Sequence, residues 1–224
     1  MARLRRIVAP GLPHHVTQRG NRRQVTFFTE RDYALYIDFM AGSCARYRTE
    51  IWAYCLMPNH VHLIAAPSDE RALARAIGEA HRRYTAEINR REDWTGYLWQ
   101  GRFASFPMDQ SYLLACARYV ERNPIRAGLA RRPEEYPWSS AAAHLHARDD
   151  RLVRVGPLLE IVPEWATLLD SEDAEREEEI RRASRTGRHP LGHEPFLSHL
   201  ERAHSQTLRP ARRGRPPNKW GSEG

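Results

Sequence analysis

The sequence predicts an α+β fold of the ferredoxin-like kind: a four-stranded antiparallel sheet laid down in the order β-α-β-β-α-β, two helices on one face, then a further helix. Three observations predict it. Strand-length runs dense in aromatic and β-branched residues lie at 14–18, 50–57, 60–66 and 102–108. Two longer segments with apolar residues near a 3.6 period separate the first run from the second and the third from the fourth. Only Pro58 and Asn59 separate the second run from the third, a hairpin spacing that makes those strands antiparallel.

The elements follow in order. His14–Gln18 reads as extended, Gly20-Asn21 as a turn, and Val25–Phe28 as extended again. A helix is predicted from about Glu30 to Arg48, with Tyr33, Tyr36, Phe39 and Met40 on its apolar face. Residues 50–57 (EIWAYCLM) have the composition of a buried strand. His60–Ala66 is the third strand and belongs at the centre of the sheet. A second helix runs from about Asp69 to Arg91 through Leu73, Ile77, His81, Tyr84 and Ile88. An aromatic loop at 93–101 leads to the fourth strand. The third helix, from Ser111 to about Asn123, takes Ser111 as its N-cap. Residues 1–142 form the main domain. A helical extension occupies 143–204, including an acidic helix after Asp170 and an amphipathic segment with Phe196, Leu197 and Leu200. Residues 205–224 are an Arg/Pro/Gly-rich tail, expected to be disordered when free.

The formal net charge is +7, and Lys219 is the only lysine. Arg209, Arg212, Arg213, Arg215 and Lys219 stand in the tail with no acid among them. A basic chain with a basic tail and no amphipathic anchor favours nucleic acid over membrane as partner. No apolar run approaches a membrane span or a signal peptide, so a cytoplasmic location is expected. Cys44, Cys55 and Cys116 are odd in number and far apart, which predicts reduced, buried thiols.

The chemistry centres on MPNHVHLI, residues 57–64. Residues two apart on a strand share a face, so His60 and His62 present two imidazoles together while Val61 packs on the other side. Such a pair is most of a metal site only if other donors join it. His144 and His146 have the same spacing in a helical or loop setting and are not expected to ligate. Tyr119 and Asn123, four apart on the third helix, share a face. A phenol can attack a phosphodiester once a divalent ion such as Mg²⁺ or Mn²⁺ neutralises the phosphate, and an Asn amide oxygen can ligate that ion. Core packing is the plainer role for Tyr119, and capping a helix that starts at Pro124 is the plainer role for Asn123. Tyr112, seven residues before Tyr119, is the alternative nucleophile. Arg19, Arg22, Arg23 and Arg102 are candidates to hold phosphates, and Trp94, Tyr97 and Trp99 to stack bases. The tail arginines Arg212, Arg213 and Arg215 fit an extended groove-reading arm.

Four strings in this order, HHVTQRGNRRQVTFF, AYCLMPNHVHLI, LWQGRFASF and ARYVERNPIRAGL, closely resemble the REP-associated tyrosine transposases. These are single-tyrosine members of the HUH (His–hydrophobic–His) endonucleases. The resemblance is firm over residues 8–142 and looser beyond, where RRGRPPNK resembles a terminal motif that accompanies hairpin recognition. It implies that His60 and His62 are metal ligands and that Tyr119 attacks single-stranded DNA to leave a 5′-phosphotyrosine and a free 3′-OH. Relatives in the wider branch have Gln where this chain has Asn123. The expected activity is a metal-dependent single-strand endonuclease and strand transferase acting on hairpin-forming DNA, with the tyrosine helix serving its own subunit or a homodimer partner. Two other readings stay open: a non-catalytic hairpin DNA- or RNA-binding protein, and a metal hydrolase of small phosphoesters.

Overall fold

A computed structural model describes residues 6–186, 190–205 and 207–208. The strands are β1 (His14–Arg19), β2 (Thr49–Met57), β3 (His60–Pro67) and β4 (Ala104–Pro107). They form one antiparallel sheet in the order β2-β3-β1-β4. With α1 (Glu30–Arg46) between β1 and β2 and α2 (Ala72–Glu92) between β3 and β4, this is the expected ferredoxin-like arrangement. β3 is central, as its composition requires.

The period-2 alternation of the strands divides the core in two. Val16, Val61, Leu63 and Ala65 face α1 and α2, joining Tyr36, Met40, Leu73, Ile77 and Tyr84 in one fully buried cluster. Ala53, Cys55, Met57 and Ile64 face the other way. There they pack against α3 (Gln110–Glu121), which supplies Leu113, Cys116, Tyr119 and Val120. The helix pair therefore covers one face and α3 the other, the face on which His60 and His62 stand. All three cysteines are free and buried.

The chain beyond α3 packs back on both clusters. A short helical turn α4 (Asn123–Arg126) precedes α5 (Ala141–Leu145), α6 (Gly156–Leu159), α7 (Trp165–Asp170), α8 (Ala174–Thr186) and α9 (Glu194–His204). Leu152, Val153 and Val155 enter the α1/α2 cluster, while Leu158, Trp165, Leu169 and Ile180 enter the α3 cluster. Glu121 of α3 is fully buried and accepts hydrogen bonds from Ser140 Oγ (2.5 Å), His144 Nδ1 (2.7 Å) and Trp165 Nε1 (2.8 Å). His144 is thus a structural donor.

Two local expectations are corrected. Val25–Phe28 is not a strand. Its amides turn inward instead, with Thr26 N and Phe27 N both donating to Pro58 O (2.8 and 3.2 Å). Ser111 is not the N-cap of α3. Asp109 is, its Oδ1 accepting from Tyr112 N at 3.0 Å, while Ser111 Oγ donates to the same oxygen. A carboxylate opposite the positive end of a helix is the stronger cap. The tail arginines Arg212, Arg213 and Arg215 lie outside the described residues.

Candidate metal and nucleophile site

The site forms where three sequence-distant elements meet on the α3 face of the sheet. His60 and His62 stand on β3 with ring centroids 5.0 Å apart in an edge-on arrangement. Antiparallel pairing sets Arg19 opposite His60 and Thr17 opposite His62, with His15 next in the same row. Directly paired residues share a face, so β1 brings an imidazole and a guanidinium to the two histidines.

His15 is the residue the sequence reading missed. It is fully buried, lies 5.2 Å from His62 ring to ring in a near-parallel stack, and shares a hydrogen bond of 3.0 Å between its Nε2 and His62 Nδ1. The signal was present in HHVTQR. Once β1 neighbours β3, alternate residues His15, Thr17 and Arg19 must share the face of His60 and His62.

The histidines are oriented by their neighbours. His60 Nδ1 contacts Asn59 Oδ1 at 2.6 Å, so Nδ1 is the donor and Nε2 is left with its lone pair. His62 Nδ1 is taken by His15, which again leaves Nε2 as the other nitrogen. Fixing one imidazole nitrogen to present the other is how proteins orient metal-binding histidines. Burial and the Arg19 charge hold His60 at about 4, and burial with His60, His15 and Arg19 around it holds His62 well below the usual range. Burial alone brings His15 down to about 3. All three rings are therefore neutral near pH 7, the form able to ligate.

The Pro58-Asn59 turn before His60 is clamped by the loop after β1. Gly20 N donates to Asn59 O (2.8 Å) and Asn59 Nδ2 to Arg23 O (3.1 Å). Arg22 and Arg23 adopt left-handed backbone angles, φ 52° and 63°. A Cβ on Gly20 would come within 2.3 Å of Gln24 O, so only glycine fits there.

Tyr119 is the phenol at this site. Its ring lies 5.5 Å from His62 and 6.3 Å from His15, both edge-on, and its side chain is buried. Burial raises its pKa; the Asn123 amide, Arg126 and Arg181 act in the opposite direction. Arg126 sits over the ring at 5.3 Å. The alternative, Tyr112, is turned elsewhere. Its hydroxyl donates to Glu179 of α8, and burial with that carboxylate pushes it up to about 12.

Asn123 does not cap α4, since Arg122 occupies that place. The helical path continues from α3 through the junction, with Arg122 N donating to Arg118 O (2.9 Å) and Ala127 N to Asn123 O (3.0 Å). Asn123 Nδ2 donates to Tyr119 O at 3.1 Å, which leaves Oδ1 as its acceptor. No cluster of three or more His, Cys, Asp or Glu side chains suited to a metal occurs among the described residues. Two oriented neutral imidazoles and, one helical turn after Tyr119, an amide oxygen are donor types that a divalent ion accepts beside water and phosphate oxygens.

Arg22, Arg23 and Arg102 are exposed, and Arg19 stands beside the histidine pair. Trp94 and Tyr97 are exposed, but Trp99 is not a surface ring: it is buried and stacks on His81 at 4.7 Å.

Comparison with known proteins follows the same line. The family model described as Transposase IS200 like matches residues 11–123, the span that holds the sheet, the histidines, Tyr119 and Asn123. A solved structure of a REP-associated tyrosine transposase bound to a REP hairpin shares the fold, with a TM-score of 0.57 at 18% identity over 69% of this chain and 92% of that one. A crystal structure from Deinococcus radiodurans R1, named for a transposase, aligns at TM-score 0.38 and 20% identity over 55% of this chain and 97% of that one, too distant to support an argument. No curated protein matches.

Proposed function

The chain belongs to the family of IS200-like transposases, and from that premise we propose that it is a metal-dependent single-strand DNA endonuclease and strand transferase acting through Tyr119. The observation that carries the reading is the convergence of His60, His62 and Tyr119, with ring centroids 5.0 and 5.5 Å apart, on a strand and a helix, the tyrosine lying more than fifty residues after the histidines in the chain. His60, His62 and the amide oxygen of Asn123 would hold a Mg²⁺ or Mn²⁺ ion. When bound, that ion supplies charge neutralisation at the scissile phosphate.

The chain's own residues do the rest. Asn59 and His15 hold the imidazoles in register. Tyr119 Oη attacks phosphorus, the bond to the 3′ oxygen breaks and that oxygen takes up, by way of solvent, the proton the phenol gives up, so the DNA keeps a 3′-OH while its 5′ phosphate is joined to tyrosine. The phosphodiester energy stays in the covalent link, so no nucleotide cofactor is needed. Arg19, paired opposite His60, would hold a phosphate oxygen at the site, and the exposed Arg22, Arg23 and Arg102 would hold the strand on either side.

In this reading residues 1–142 are the cleaving domain and 143–204 the extension, with Arg212, Arg213 and Arg215 of the tail contacting DNA. The substrate proposed is single-stranded, hairpin-forming DNA, because the relative sharing the fold is bound to such a hairpin. Tyr119 approaches the histidines of its own chain, which favours attack within one subunit over exchange of the helix with a homodimer partner.

The test is a stem-loop oligonucleotide incubated with protein and Mn²⁺, then run under denaturing conditions. Wild type should form a covalent protein–DNA band, and Tyr119→Phe should bind DNA yet form none. A persistent band in that variant would remove Tyr119 as nucleophile. His60→Ala should abolish metal-dependent cleavage, and cleavage at the wild-type rate would refute the metal assignment.

A further inference from the structure

Five large hydrophobic side chains are exposed among the described residues: Val25 (45%), Phe28 (40%), Trp94 (44%), Tyr97 (86%) and Leu129. All but Leu129 lie on two loops, 24–29 and 93–98, that are joined into one surface. Gln24 Nε2 and Asn21 N both donate to Leu98 O (3.3 and 2.8 Å), and the Phe28 and Trp94 rings meet edge-on at 5.7 Å. The base is rigid, since Phe27, Leu98 and Trp99 beneath it are buried in the core. The second loop is braced as well, by Asn89 Nδ2 donating to Gly96 O and Trp94 N donating to Asn89 O.

This surface is continuous with the site. The loop that carries Val25 and Phe28 is the one that clamps Pro58-Asn59 directly before His60. Exposed Arg22, Arg23 and Arg102 lie on the same loops or just beyond them in sequence. Exposed apolar side chains gathered in one place mark a binding surface. Aromatic faces beside guanidinium groups suit one partner chemistry above others, unpaired bases on a phosphate backbone. A duplex offers its phosphates but hides its base faces, so it would use the arginines and leave the rings idle.

We propose that Phe28, Trp94 and Tyr97 form a stacking shelf for unpaired bases of the DNA strand running to the phosphate that Tyr119 attacks. The shelf deepens the strand-cleavage reading above and rests on it for the position of that phosphate. It sets which stretch of the substrate must be single-stranded.

The experiment compares binding of the full chain to a fluorescein-labelled stem-loop with and without an eight-nucleotide single-stranded flank on either side, at fixed salt. The flank on one side should tighten wild-type binding about tenfold and quench tryptophan emission. Tyr97→Ala and Trp94→Ala should each erase most of that gain, Tyr97→Phe should keep it, and all should bind the bare stem-loop like wild type. Tyr97 is almost fully exposed, so its replacement leaves the fold intact.

Three outcomes overturn the shelf: variants that retain the full flank effect, variants that weaken bare and flanked stem-loops equally, or a dimer in light scattering that Tyr97→Ala abolishes with DNA binding unchanged. The adduct assay at saturating DNA separates the two readings. A wild type that forms no adduct but shows the ring-dependent flank effect defeats strand cleavage and leaves the shelf standing.

Discussion

His15 Nδ1 is buried and has no hydrogen-bond partner among the described residues, although the same ring shares a 3.0 Å bond with His62. The asymmetry has a consequence for protons. When His62 Nε2 gives its lone pair to an ion, its proton must sit on Nδ1 and be donated to His15 Nε2. The His15 proton then moves to Nδ1, where nothing accepts it, at a cost of about 1–3 kcal/mol. Without the ion the reverse pair of tautomers leaves the same nitrogen an unpaired acceptor in place of an unpaired donor. Adding Zn²⁺ or Mg²⁺ as diamagnetic probes should therefore move the ¹⁵N shifts of both rings together, an outcome checked by long-range ¹H–¹⁵N spectra. His15→Phe removes the partner of His62 and should weaken Mn²⁺ binding about 10–100-fold, read by titration followed by electron paramagnetic resonance. His15→Gln, which keeps an acceptor, should recover part of it. The sequence showed His60 and His62 because their spacing is local. It did not show His15, because that contact spans 47 residues and exists only once strand order is known.

At the scale of elements, α3 is fixed at both ends by carboxylates. Asp109 caps its start and also accepts from His193 N (2.7 Å) and His193 Nδ1 (2.8 Å) in the segment before α9. Burial opposes ionisation of Asp109, but the donors from Tyr112, His193 and Ser111 outweigh it and lower its pKa to about 2. A folded pKa below the unfolded 3.8 means stability that is complete above pH 4–5 and is lost as pH falls through 2. That contribution is on the order of 2 kcal/mol at most. Asp109→Ala should cost about 1–2 kcal/mol at pH 7 by urea unfolding, and the gap to wild type should narrow towards pH 2. Near the other end, Glu121→Ala strands two buried donors, His144 Nδ1 and Trp165 Nε1, while Ser140 Oγ keeps Tyr54 O at 3.3 Å, and it should cost at least about 2 kcal/mol. The reach of these ties was illegible in the sequence. Helical periodicity marked α3, but its partners Ser140 and Trp165 come from stretches with no periodic signal of their own, and the amphipathic segment after His193 does not say where it docks. Ser111 looked like the cap because serine is a common one, while the stronger acceptor stood two residues earlier.

Over the whole molecule, the excess positive charge and the sheet topology make separate predictions. The charge makes DNA affinity salt-dependent, since each neutralised phosphate releases counterions. Truncation after Leu208 removes Arg209, Arg212, Arg213, Arg215 and Lys219. If those residues reach phosphates, the slope of log affinity against log salt should shrink by about 3–4, measured by fluorescence anisotropy across a salt series. The strand order was legible because β-α-β-β-α-β has few compact solutions, and the family model spans the same stretch, residues 11–123. The packing of 152–169 into both cores was not, because short helices carry too few turns to show a period.

The β1–β3 pairing that assembles the histidines also ties the site to the folding reaction. These strands are neighbours in the sheet but not in sequence, and His15 meets His62 only after a long chain loop has closed. No fragment holding one strand can present the three rings, so an ion selects for the folded chain and against every partly folded one. At a hundred times its dissociation constant it would add about 2.7 kcal/mol to unfolding. The amides of Val16 and Val61, buried in the middle of that pairing, would then exchange with deuterium more slowly by the same factor of about one hundred.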